Sequence, residues 1–214
     1  LDIYLISGLG ADQRAFQYLS ISAAHTIHHL SWIPPQQDET LEHYAQRLAN
    51  GIDTSRKFAL IGVSFGGMIA TEIAKIKTPC KTILISGIST RKELPWLYRA
   101  AGSLHLHRLM PASAGNNANP LMYWLFGLHT QHDRVLLSQI LSDSNTSFTR
   151  WAISAVLGWK NTERPASVIC IHGTRDRVLP ARNPQYAVRQ GGHLMVVNRA
   201  AEISEIINTI LADA

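Results

Sequence analysis

Apolar residues in this chain fall into short continuous runs, separated by turn residues and by stretches with helical spacing. The first run, Asp2 to Ile6, ends at Ser7, Gly8, Leu9 and Gly10 and predicts a buried strand feeding a glycine loop. Asp12 then predicts the N-cap of a helix carrying Phe16 and Leu19. Thr26 to Trp32 predicts a second strand, ended by Pro34 and Pro35, and Leu41, Tyr44, Ala45 and Leu48 beyond Asp38 form one face of a helix. Phe58 to Val63, Thr82 to Ile85 and Ser167 to Ile171 are unbroken apolar runs, the pattern of strands buried on both faces. A shorter run, Gln185 to Val188, follows, and Ala200, Ile203, Ile206, Ile207, Ile210 and Leu211 line one face of a closing helix. This alternation predicts an α/β fold: an open, mostly parallel sheet of about six strands with helices on both faces, and ligands bound beyond the carboxyl ends of the strands.

One stretch breaks the alternation. Roughly 70 residues, 90–161, separate two of the strands, too many for a simple loop. They hold Trp96, Trp124, Trp151 and Trp159, with Tyr98, Met110, Met122, Tyr123 and Phe126, in helix-like segments such as LPWLYRAAGSLHLHRLM. The expected organisation is a core of residues 1–89 and 162–214 with a helical lid at 90–161. Most of the lid aromatics serve to pack the insertion onto the core. Trp96, Trp124 and Trp151 are the candidates for a substrate pocket.

Composition narrows the function classes. The 214 residues suit a single domain, and 46% hydrophobic with 16% charged residues is ordinary for a globular protein. No apolar run approaches the roughly 20 residues of a membrane span. The chain opens directly on a strand-like run, so no secretory leader is expected and the cytoplasm is the expected compartment. The net charge of +5 comes from basic residues scattered singly, which argues against nucleic acid as a partner. Cys80 and Cys170 stand outside any metal-ligand spacing and are expected as buried, reduced thiols; no metal or organic cofactor is called for. The glycine loop after the first strand has Gln13 where a dinucleotide fingerprint needs glycine, and no phosphate-loop lysine occurs. Oligomeric state leaves no mark on the sequence.

The stretch KFALIGVSFGGMIATEIAK, residues 57–75, reads as strand, sharp turn and helix with Ser64 at the turn. A turn that tight needs almost no side chain two residues before and two after its centre, and Gly62 and Gly66 stand there. Ser64 then sits at a helix N-terminus, where free N–H groups and the dipole favour negative charge. This is the GxSxG nucleophile elbow, although a plain glycine-rich turn fits the same five residues. A serine nucleophile needs a base, and the base an orienting group. Asp176 in HGTRDRVLP and His193 in QGGHLMV follow later strands, and the order Ser64, Asp176, His193 is the one expected on a parallel sheet. Singly, Asp176 also reads as a helix cap or a partner of Arg175 or Arg177, and His193 as a loop histidine. His172 is expected to hydrogen-bond locally. The backbone of Phe65 and of Leu9 are the candidate oxyanion donors, each worth about 3 kcal/mol in acyl transfer. Gly8 and Arg14 lie at the same mouth, where Arg14 could meet an acidic group or remain solvated.

GVSFGG, HGTRDRVLP, GGHLMV and SGLGAD together resemble the elbow, acid loop, histidine loop and oxyanion loop of the α/β-hydrolase superfamily, above all its small single-domain esterases and thioesterases. More distantly, the chain resembles the plant methylesterases and hydroxynitrile lyases. It departs from many relatives at Val63 and Ser7, where they carry histidine, and the resemblance implies that the first strands of the full fold are missing. The expected function is a serine hydrolase acting on a small-molecule ester or thioester with an apolar acyl group. The alternatives are a lyase using the same three residues for proton transfer and a non-catalytic ligand-binding module.

Overall fold

The computed structural model describes residues 1–103, 119–180 and 183–214. Six parallel strands form one sheet: β1 (Asp2–Ile6), β2 (Thr26–His29), β3 (Phe58–Val63), β4 (Lys81–Ile85), β5 (Val168–Gly173) and β6 (Tyr186–Val188), in the order β2-β1-β3-β4-β5-β6. The helices are α1 (Leu41–Leu48), α2 (Phe65–Lys77), α3 (Trp96–Ser103), α4 (Pro120–Phe126), α5 (Gln131–Asp143), α6 (Thr146–Gly158), α7 (Met195–Asn198) and α8 (Ala200–Ala212). Of the expected helical stretch after Leu94, His105, His107 and Met110 lie outside the described residues.

Alternation along the central strands sends side chains to two buried faces. Tyr4, Ile6, Leu60 and Leu84 pack with α1, α2 and α6, while Ile3, Leu5, Ile61 and Ile83 pack with α5, α7 and α8. Ile203, Ile207, Ile210 and Leu211 of α8 are all buried, each contributing about 1.5–3 kcal/mol relative to exposure. The pairs Ile6↔Gly62, Val63↔Ile85, Ile85↔Ile171 and Gly173↔Val188 bring the carboxyl ends of five strands level. Strand order reverses between β1 and β3, so the loops leaving them open side by side, which is where ligands bind in such sheets.

Three expectations are corrected. The second strand ends at His29 rather than Trp32: the Leu30 N–H still reaches the Leu5 carbonyl, but Trp32 leaves the sheet to hydrogen-bond the Ala11 carbonyl. Asp12 does cap, accepting from the Arg14 N–H, yet the helix it starts is one short 3-10 turn, Gln13–Phe16. Cys80 is half-buried, its thiol donating to the Phe58 carbonyl, whereas Cys170 is buried and its pKa is pushed up to about 11 by desolvation.

The expected lid at 90–161 contains two helices that belong to opposite sides of the sheet. Leu136, Leu137, Ile140 and Leu141 of α5 join one apolar layer, and Phe148, Ala152 and Ala155 of α6 join the other. In contrast, Trp96 and Leu97 on α3 and Leu121 and Trp124 on α4 are exposed.

Candidate functional site

Ser64 occupies the turn between β3 and α2 with φ 53° and ψ −116°, a region that side-chain-bearing residues rarely adopt. The turn is held by the Ser64 N–H donating to the Ile85 carbonyl and by the Gly67 N–H donating to the Ser64 carbonyl, both at 2.9 Å. A Cβ at Gly62 would collide with the Gly66 carbonyl, and one at Gly66 with the carbonyls of Ile6 and Ser7. The two glycines are therefore required by close backbone approach. Ser64 makes no capping bond to its own helix, and its hydroxyl turns outward.

There it meets His193. Ser64 Oγ lies 2.9 Å from His193 Nε2, and His193 Nδ1 lies 2.8 Å from Asp176 Oδ2. The carboxylate can only accept, so Nδ1 carries the hydrogen and Nε2 is left to accept from the serine. His193 and Asp176 are buried, while Ser64 retains partial exposure. The loop carrying His193 is set by backbone contact. A Cβ at Gly173 would strike Gly191, and Gly192 lies against Gly127 at the end of α4. The Leu194 N–H donates to the Phe126 carbonyl, and the Phe126 ring meets the imidazole edge-on at 5.2 Å.

Among the described residues, Asp176 accepts four hydrogen bonds. Val178 and Leu179 N–H groups donate to Oδ1 at 2.9 Å, while His193 and His172 donate to Oδ2. Burial raises its pKa, but the His193 charge, the hydrogen bonds from both histidines and the Leu179 amide outweigh that and hold it well below the ordinary carboxylate range. Arg175 and Arg177 are not its partners. The Arg175 N–H goes to the Gly191 carbonyl, and Arg177 stacks on Trp124 at 4.4 Å while donating to the Trp124 carbonyl.

His172 is the residue whose share in this site the sequence reading did not identify. It is fully buried at the end of β5, with Nε2 donating both to Asp176 Oδ2 at 3.0 Å and to the Leu179 carbonyl at 2.6 Å. The signal was its four-residue spacing from Asp176 across a turn. Tyr98 of α3 is a second such neighbour: burial, and then the charge of Asp176, raise its hydroxyl pKa.

Of the remaining predicted residues, Gly8 runs beside the serine, since a Cβ there would sit 3.7 Å from Ser64 Cβ. Leu9 and Phe65 pack into one apolar cluster with Trp32. Arg14 is engaged by Asp12 at 2.8 Å and Asp143 at 2.9 Å. Trp96 and Trp124 are 68% and 56% exposed. Trp151 donates to the Glu39 carbonyl and packs among Tyr44, Phe65 and Phe148. Among the described residues no cluster of His, Cys, Asp and Glu is arranged to hold a metal ion, and no helix is long and apolar enough to cross a membrane.

A serine hydroxyl bonded to an imidazole, itself oriented by a buried carboxylate, has a route for its proton, and such a group can attack an electrophilic carbon. Solved structures of similar shape include a bromoperoxidase from Bacillus anthracis (TM-score 0.66, 13% identity, 99% of this chain and 91% of that one). They also include Est816, described as an N-acyl homoserine lactone degrading enzyme (TM-score 0.70, 13% identity, 98% and 92%). A third is a thermophilic esterase from Thermogutta terrifontis (TM-score 0.64, 15% identity, 100% and 90%). At such identities the likeness is one of fold. No curated protein sequence matches the chain. The sequence profile described as "Alpha/beta hydrolase family" matches residues 3–206, a span that takes in the elbow, the acid loop and the histidine loop, and the chain belongs to that family.

Proposed function

We propose that this protein is a serine hydrolase that cleaves a carboxylic ester or thioester of a small to medium apolar acyl group through an acyl-enzyme. The observation that carries the reading is the continuous hydrogen-bonded line from Ser64 Oγ through His193 to Asp176, at 2.9 and 2.8 Å. His193 Nε2 takes the hydroxyl proton as Ser64 Oγ bonds to the carbonyl carbon. The resulting oxyanion accepts from the N–H groups of Phe65 and Leu9. As the tetrahedral adduct collapses, His193 returns the proton to the departing alcohol or thiol. Water then repeats the sequence: its proton passes to His193, its oxygen bonds to the acyl carbon, and the proton returns to Ser64 as the acid leaves. Asp176 fixes the imidazole tautomer and offsets the charge that His193 gains.

An apolar acyl group is supported by the aromatic cluster of Phe65, Phe148 and Trp151 at the start of α2. The test is a panel of p-nitrophenyl esters, thioesters and lactones with wild-type protein and Ser64→Ala. Wild-type turnover with a burst of product and labelling by a fluorophosphonate probe, both lost in Ser64→Ala, is the expected result. Turnover retained by Ser64→Ala removes the serine from the chemistry, and turnover without acyl-enzyme formation favours lyase-type proton transfer.

A further inference from the structure

Trp32 is where the expected second strand departs from the sheet, and its indole touches both loops that meet at Ser64. Its Nε1–H donates to the Ala11 carbonyl at 2.9 Å, and its ring lies 5.4 Å from Phe65, 5.2 Å from Phe148 and 6.3 Å from Tyr44. The same Ala11 carbonyl accepts a second hydrogen bond, from the Ser7 hydroxyl at 2.7 Å. The Ala11 N–H donates back to the Gly8 carbonyl at 3.0 Å, so residues 8–11 form a closed turn with Leu9 at its crest. Both lone pairs of one carbonyl are thus occupied by side chains from outside the turn. Ser7 stands where many relatives carry histidine, and here its hydroxyl helps to close the loop.

We propose that Trp32, seconded by Ser7, is the positioning residue for the oxyanion hole. It fixes the crest of the glycine loop through the Ala11 carbonyl and buttresses the opposite donor through the Phe65 ring. The inference rests on the acyl-transfer reading of Ser64 given above. Two backbone N–H groups on different loops stabilise an oxyanion only if their separation is held to a few tenths of an ångström, and glycines on either side of Leu9 leave that loop few side-chain contacts of its own. Without an external tie, the crest would relax away from the position the oxyanion takes, while ground-state binding changed little.

The test compares Trp32→Phe, which keeps a ring against Phe65 and Phe148 but lacks the N–H, with Ser7→Ala and the double variant. Trp32→Phe is expected to lower kcat about tenfold, with KM within about twofold, and to weaken a trifluoromethyl ketone, a tetrahedral mimic, by a similar factor. Ser7→Ala is expected to cost about threefold, and the double variant more than the product of the two, because either bond alone still anchors the carbonyl. A Trp32→Phe enzyme with wild-type kcat and ketone affinity overturns the proposal. So does a loss seen equally in KM, or one that follows a fall in thermal midpoint, since either marks a packing role only. Ser64→Ala run in parallel separates the two readings: if it retains turnover the acyl-transfer reading fails, whereas if it is inactive and Trp32→Phe is unaffected only the role of Trp32 is lost.

Discussion

Asp176 and Glu39 both carry carboxylates with no exposed surface, yet they are neutralised in different ways. Glu39 accepts two hydrogen bonds from Arg47 at 2.9 and 3.0 Å, one from His43 at 2.6 Å and one from the Gln36 N–H at 2.7 Å. Its chief partner is a guanidinium that never loses its charge. Among the described residues no arginine pairs with Asp176; two imidazoles and two backbone amides share it. Imidazole is the side chain whose charge changes near neutral pH, so the field at Asp176 can follow a proton that moves. A permanent cation suits a corner that must only stay closed. An imidazole suits one that must respond.

The sharpest way to break this comparison is Asp176→Asn. The amide can keep one oxygen on the Val178 and Leu179 N–H groups but presents a donor to His193, so the imidazole loses the tautomer that accepts from Ser64. On the acyl-transfer reading proposed above, kcat should fall by about 10³–10⁴-fold while far-UV circular dichroism stays unchanged. Glu39→Ala should give the opposite profile, losing about 2–3 kcal/mol in urea unfolding with kcat within about threefold of wild type. The pH dependence has a definite sign. Burial raises the Glu39 pKa, but the Gln36 amide, Arg47 and His43 together hold it below the usual range. A carboxyl whose folded pKa lies below its unfolded value contributes stability that is fully present above the unfolded value and is lost as the pH falls through the folded one. The stability gap between wild type and Glu39→Ala should therefore be widest near neutrality and shrink on acidification.

A smaller effect separates the two histidines. His172→Leu removes one donor to Asp176 and leaves the Leu179 carbonyl short of a partner, so kcat should drop about 10- to 100-fold. His172→Gln, whose amide offers two hydrogens, should recover most of that loss. Equal losses in both variants would mean that His172 acts only by filling space.

Much of the fold was legible because the central strands are buried on both faces, so Phe58 to Val63 and Thr82 to Ile85 read as unbroken apolar runs. The carboxyl edge was legible for a similar reason. Gly62, Gly66 and Gly191 stand where backbones nearly touch, and glycine is the residue that such contact demands. The edge strand was harder. Burial falls away along Thr26–His29, and Trp32 is apolar enough to extend the run although its indole is committed elsewhere. The sequence predicts helices within 90–161 but not which layer each joins, because that depends on partners distant in sequence. For His172 the sequence predicts a local hydrogen bond. That it divides one oxygen with His193 depends on how the β5 and β6 loops fold back on each other.

The segment bearing His193 is wedged between Gly173 on one side and Gly127 on the other. The imidazole's place is thus stored in main-chain contact, which substitutions elsewhere in the site do not disturb. On the acyl-transfer reading proposed above, aromatic walls can be recast to admit a new acyl group while the proton-handling group keeps its address. On such a scaffold, selectivity drifts more readily than chemistry.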